Sequence, residues 1–118
     1  MAAKLSTHVL DTAQGCPARD LQIELWSLSG AGRKRLKTVR TNADGRTDEP
    51  LLAGAEMAAG EYELVFFVGD YFASKAGTQG NVRFLDRVPV RFGIADAGAS
   101  YHVPLLCSPW AYSTYRGS

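Results

Sequence analysis

The pattern that most constrains this chain is apolar–polar alternation with a period of two, repeated in short segments along most of its length. A β-strand with one buried face requires that pattern, because successive side chains point to opposite sides. Residues 5–11 set Leu5, Thr7 and Val9 on one face and Ser6, His8 and Leu10 on the other. Residues 21–28 set Leu21, Ile23 and Leu25 against Gln22, Glu24 and Trp26. Residues 36–41 read as a third strand with charged residues on one face. Residues 61–69, EYELVFFVG, are the most apolar segment and are predicted to be a central strand. Residues 88–94 turn Val88, Val90, Phe92 and Ile94 inward and Pro89 and Arg91 outward. The proline predicts an edge position or the start of the strand. Residues 101–107 and 110–116 are the last two strands, with Ser108-Pro109 between them.

The breaks between these segments are turn-like. Residues 13–20 hold Gly15 and Pro17 and read as a loop. Gly30 and Gly32 turn the chain within residues 29–34. Asn42-Ala43-Asp44-Gly45 is a tight turn in which Gly45 takes a positive φ, and residues 46–48 follow as a short edge strand. Residues 50–60 read as a loop. The helical candidate is residues 70–78, with Asp70 as its N-cap and Gly77 as its stop. Seven or eight short alternating strands and one short helix predict an all-β, two-sheet antiparallel sandwich. With 118 residues, 46% of them hydrophobic, the chain has enough material for one domain, residues 1–118, with its own core.

Composition removes several function classes. The formal net charge is +1, which gives no long-range field for nucleic acid or an anionic membrane. Arg33-Lys34-Arg35 lies beside Gly30 and Gly32 and reads as a solvated hairpin loop. No apolar run is long enough to span a bilayer, and the first six residues show no secretory leader, so the expected compartment is the cytoplasm. Cys16 and Cys107 are expected to be free thiols. No metal site is expected, since two histidines lack a third ligand at short spacing, and there is no phosphate loop and no nucleophile elbow. No cofactor is implied.

The faces opposite the predicted core carry the chemistry. Residues 101–107 put Val103 and Leu105 on one face and His102, Pro104 and Leu106 on the other. A sandwich strand that is apolar on both faces calls for a second protein layer, and a closed symmetric assembly is the common way to supply one. Both histidines of the chain, His8 and His102, fall on such non-core faces. An imidazole titrates near neutrality and serves as general acid or base. Arg46 follows the Asp44-Gly45 turn, where its guanidinium can grip a planar carbonyl or anionic ring; taken alone it also reads as a solvated turn residue. The last stretch, residues 101–118, stays apolar and aromatic almost to its end. It is expected to be both a core strand and part of a site, since an unanchored terminus frays.

These pieces together resemble a known family. The chain reads Ser6-Thr7-His8-Val9-Leu10-Asp11, then Gly15 with Pro17-Ala18, then Thr41-Asn42-Ala43-Asp44-Gly45-Arg46. Tyr101-His102-Val103-Pro104-Leu105-Leu106, Ser108-Pro109 and the closing Tyr115-Arg116-Gly117-Ser118 follow. Over essentially its whole length it is similar to the transthyretin-related 5-hydroxyisourate hydrolases of purine (urate) degradation, whose hallmark is that closing tetrapeptide. The resemblance implies a prealbumin-like sandwich of two four-stranded sheets with one short helix. It also implies a homotetramer, a dimer of dimers, with active sites at the dimer–dimer interface. The implied catalytic residues are His8, Arg46 and His102. Tyr115, Arg116, Gly117 and Ser118 are implied to hold the substrate, although Tyr115 reads nearly as well as interface packing. The implied reaction is hydrolytic opening of the six-membered ring to 2-oxo-4-hydroxy-4-carboxy-5-ureidoimidazoline. One imidazole takes a proton from water, the other fixes water or substrate, and Arg46 stabilises the oxyanion; the assignment of His8 to the first role is the one preferred. Two other readings are a transthyretin-like carrier of a small hydrophobic ligand and an interaction sandwich with no small-molecule site. Fold alone does not separate them.

Overall fold

Two β-layers close over one apolar core, and their outer faces and edges carry the remaining features. A computed structural model describes residues 2–30, 32–75 and 82–118. The strands in chain order are β1 (Lys4–Ser6), β2 (Val9–Asp11), β3 (Cys16–Pro17), β4 (Gln22–Ser27), β5 (Lys34–Arg40) and β6 (Leu52–Ala53). A 3-10 turn, Gly54–Glu56, leads to β7 (Gly60–Phe66) and the helix α1 (Val68–Ala73). Then come β8 (Val88–Ile94), β9 (Tyr101–His102), β10 (Leu105–Cys107) and β11 (Tyr112–Thr114).

One layer is the antiparallel sheet β5-β4-β7-β8. The apolar segment predicted to be central is β7, inside this sheet, and the Pro89 strand is its edge β8. The other layer comprises two ladders, β6-β1-β9 and β11-β10-β2-β3. They join into one sheet because β1 and β2 run on as a single strand beside β9 and β10. Leu5 faces Tyr101 and Val9 faces Leu105, in parallel, at the same separation of 96 residues that relates Thr7 to Val103. Across the gap, Val103 N–H donates to the Ser6 carbonyl and Leu105 N–H to the His8 carbonyl, each at 2.9 Å. The layer is therefore four strands wide: β6 and β3 along one edge, then β1/β2, β9/β10 and β11. The whole is the prealbumin-like sandwich of two four-stranded sheets with one short helix.

The alternation read in residues 5–11 is what buries the core. Leu5, Thr7 and Val9 are buried, while Ser6, His8 and Leu10 are half-buried on the other face. Leu5 and Val9 meet Ile23, Leu25, Leu64, Phe66 and Leu105 in the interior. Thr7 is tolerated there because its hydroxyl donates to the Val103 carbonyl at 2.7 Å. Asp11 is also buried and fully engaged. Its carboxylate accepts from the backbone N–H of Ala13 and Gln14, from the Gln14 side chain and from the Tyr71 hydroxyl, which ties α1 to β2.

Several local expectations are corrected. The helix begins at Val68 and not at Asp70, and its N-cap position is Phe67. Val68, Tyr71 and Phe72 are buried, a spacing that lays one helical stripe on the core and fixes where the helix starts. Asp70 lies in the first turn, paired with Arg83. The described helix ends at Ala73, and the predicted stop at Gly77 and end at Thr78 lie outside the described residues. Cys16–Pro17 and Leu52–Ala53, read as loop, each form a two-residue strand. Residues 46–48, read as an edge strand, form bends. There the Asn42 side-chain oxygen accepts from the N–H groups of Asp44 and Arg46, holding the backbone in a turn in place of a ladder. The C-terminal stretch is core only through Cys107: β11 is exposed throughout, and Trp110 and Tyr115 are 65% and 60% exposed.

Candidate active site

The site begins with the turn before Arg46. Gly45 takes φ +74°, and a side chain there would run into the Val9 carbonyl and the Ala18 N–H. The Gly45 carbonyl in turn accepts from Val9 N–H at 2.8 Å. This close approach docks residues 42–46 onto the start of β2 and so brings Arg46 beside His8. His8 answers from the strand: its Nε2 is 2.9 Å from the Asp44 carbonyl. A carbonyl oxygen only accepts, so His8 Nε2 carries the hydrogen, and Nδ1 of the neutral ring keeps its lone pair.

His102 arrives from β9, in register with Ser6 of β1. Its Nδ1 is 2.9 Å from Ser6 Oγ. Burial first, then the Arg46 charge, then that of His8 push the imidazole of His102 below the ordinary histidine range, against a hydrogen bond to the Ser6 backbone that raises it. Arg46 and His8 therefore lie near enough to His102 for their charges to be felt at its ring. Next to them a groove of about 230 Å3 is lined by Lys4, Ser6, Thr7, Arg46, Thr47 and Asp48, among others.

The closing tetrapeptide divides. Pro104 has no N–H to extend the β10–β11 ladder, yet the pairing resumes beyond it, where His102 bridges Gly117 and Gly117 N–H donates to the His102 carbonyl at 2.8 Å. Cys107 faces Tyr112, Leu105 faces Thr114 and His102 faces Gly117, all in one antiparallel register. Gly117 thus lies on the imidazole, and Ser118 follows it. Arg116 turns away: its guanidinium stacks 4.3 Å above the Tyr101 ring, and Nη2 reaches toward the Ser100 carbonyl at 3.5 Å. Tyr115 and Arg116 line a different, apolar cavity of about 350 Å3 with Val90, Phe92, Tyr101 and Val103. The described chain therefore sets Gly117 on His102, ties His8 to the turn that carries Arg46, and leaves Tyr115 and Arg116 on another surface.

Sequence reasoning missed Ser6. The signal for it was present, because Ser6 shares the non-core face of residues 5–11 with His8. It also missed Lys4, Thr47 and Asp48, which carry no pattern and reach the groove only through the fold. Among the described residues, no three His, Cys, Asp or Glu side chains converge as a metal site would require, and no helix is long and apolar enough to cross a membrane.

Residues 5–117 match the model of the HIUase/Transthyretin family. The chain belongs to that family. It is 61% identical over 115 residues to the 5-hydroxyisourate hydrolase of Mesorhizobium japonicum, covering 98% of this chain and 92% of that protein. Among solved structures it resembles (S)-allantoin synthase at 48% identity with a TM-score of 0.94, covering 99% of this chain but spanning only 44% of that longer one. It also resembles transthyretin from Sparus aurata at 26% identity with a TM-score of 0.84, covering 98% of this chain and 97% of that one. Identity to the hydrolase is thus more than twice the identity to this transthyretin.

Proposed function

We propose that this chain is a 5-hydroxyisourate hydrolase, opening the six-membered ring of an oxidised purine at a carbonyl–nitrogen bond. The observation that carries this reading is a second imidazole and a guanidinium near enough to act on His102, in a chain 61% identical to a protein of that name. Hydrolysis needs an activated water, stabilisation of the charge on the attacked oxygen and a proton for the leaving nitrogen.

His102 is the base. Its depressed pKa keeps the ring neutral near pH 7, so a lone pair is available. The sequence reading preferred His8 for this role. His8 instead offers Nδ1 as acceptor for the second hydrogen of the same water, since its Nε2 is occupied by Asp44. Water loses a proton to His102 while its oxygen bonds to the ring carbonyl carbon. The carbonyl electron pair moves onto oxygen, where Arg46 meets the charge. Collapse of that intermediate breaks the carbon–nitrogen bond, and His102 returns its proton to the leaving nitrogen. Gly117 and Ser118 form a wall of the cleft beside His102. Tyr115 and Arg116 act on substrate only where an assembled neighbour brings them to a site.

The working form is a homotetramer, a dimer of dimers. The support is the outer face of β2 and β10, where Leu10 and Leu106 are register partners and only half-buried in the single chain. A carrier of hydrophobic ligands shares the fold but has no use for paired imidazoles with an arginine. Generating 5-hydroxyisourate from urate and following its ultraviolet absorbance with and without the protein tests the reading. Accelerated decay supports it; decay at the uncatalysed rate refutes it.

A further inference from the structure

Ser6 sits next to His102 by register and not by chance of rotamer. The two are opposite each other in the parallel β1–β9 ladder, on the non-core face, and Ser6 Oγ is 2.9 Å from Nδ1. The Ser6 carbonyl is held in that ladder by Val103 N–H, so the backbone beneath the hydroxyl is fixed. A serine hydroxyl can accept from Nδ1–H or donate to a bare Nδ1, and the two choices leave opposite tautomers. We infer that Ser6 is a positioning residue that holds His102 as the Nδ1–H tautomer, leaving the Nε2 lone pair to take the water's proton.

Two observations favour this direction. The Ser6 side chain and backbone both face the ring, and a backbone carbonyl can only accept, so a hydrogen on the ring nitrogen nearest Ser6 suits both oxygens. The other side of the ring is closed by Gly117, whose main chain lies on it, so the ring cannot swing to another partner without displacing the tail. The pair of histidines is then set in opposite tautomers: His8 is tied at Nε2 and open at Nδ1, and His102 is tied at Nδ1 and open at Nε2. Each presents one bare nitrogen, which suits two rings addressing the two hydrogens of one water.

This inference rests on the hydrolase reading for its consequence but not for its test. The chain has two histidines, so long-range proton–nitrogen correlations of the imidazoles resolve both tautomers without substrate. At pH about 8.5, some two units above an ordinary histidine, His102 is expected as Nδ1–H and His8 as Nε2–H. Ser6→Ala is expected to turn His102 into a tautomer mixture and to lower kcat about tenfold, the worth of one hydrogen bond, with KM within roughly twofold. Ser6→Thr, which keeps the hydroxyl, restores both. Ser6→Cys, a weaker acceptor of similar size, replaces the alanine variant should that one not fold. Finding His102 as Nε2–H in the unmodified protein overturns the inference. So does a Ser6→Ala protein with unchanged tautomer, or with a changed tautomer and unchanged kcat. A protein that shows the expected tautomers yet leaves 5-hydroxyisourate untouched overturns the hydrolase reading instead.

Discussion

Gly117 lies flat against His102: its N–H donates to the His102 carbonyl at 2.8 Å, and a methyl group on its Cα would overlap the imidazole carbon Cδ2. Glycine is needed here for space. Gly117→Ala must push either the ring or the tail aside, and a catalytic group displaced by an ångström costs roughly a hundredfold. Turnover is expected to fall by roughly 10–100-fold with the circular dichroism spectrum unchanged. A Gly117→Ala protein of full activity would mean the terminal segment forms no wall of the site.

The two imidazoles and the guanidinium are each assigned a separate step, so each should be missed. His8→Asn, His102→Asn and Arg46→Ala are expected to lower turnover at least about 100-fold, the usual worth of a positioned acid, base or charge stabiliser. Steady-state rates on freshly generated substrate measure this. Near-normal turnover in any one removes that residue from the mechanism.

The pH dependence has a definite sign. In the proposed mechanism His102 acts while neutral, and its pKa is lowered from the ordinary 6.5. Activity should therefore hold as pH falls through 6.5 and fail only below it. The Arg46 charge is one cause of the depression, so removing it lets the pKa rise. The residual activity of Arg46→Ala is expected to fail at higher pH than that of the unmodified protein. Stability should follow the same group: between the folded and unfolded pKa the unfolded chain binds more protons, so stability declines as pH falls below 6.5. An acid limb that stays put in Arg46→Ala would disconnect the two residues.

A contrasting change should touch stability alone. Tyr71→Phe removes the hydroxyl that donates to Asp11 Oδ2 at 2.8 Å, leaving a buried carboxylate short of one partner. The expected cost in urea denaturation is about 1.5–3 kcal/mol, as for hydrogen bonds to charged groups, with kcat unchanged. An unaltered midpoint would show that Gln14 and the backbone amides suffice for Asp11.

Why these residues differ in legibility is a matter of range. The buried set Leu5, Thr7 and Val9, and the exclusion of Ser6 and His8 from it, follow from alternation within one strand, which any seven residues display. The edge position of β8 follows from a missing N–H at Pro89, again a local fact. The helix start did not follow, because the capping tendency of Asp70 yields to the burial of Val68 and to a pairing with Arg83 from a distant loop. The contact of Ser6 with His102 spans 96 residues and exists only through strand register. The turning of Arg116 onto Tyr101 is likewise decided by a ring that the tail meets only after the sheet has formed. Local period reveals which side a residue faces; it is silent on which partner waits there.

The outer face of the β2–β10 ladder supplies the last expectation. Leu10 and Leu106 are opposite one another in parallel register and share the non-core face of their sheet, where each is half-buried. Left in water, this surface forgoes the full burial of two leucines, worth at most about 1.5–3 kcal/mol each and less for side chains already half covered. In the proposed tetramer a second copy covers this face, which is the side of the sheet that carries His8 and His102. Light scattering coupled to size exclusion is expected to give four chains per particle. Leu106→Glu places a charge in that contact and is expected to yield smaller particles with turnover reduced at least about tenfold, its circular dichroism unchanged. An unmodified protein that stays a single chain and turns over at full rate would remove the assembly from the mechanism.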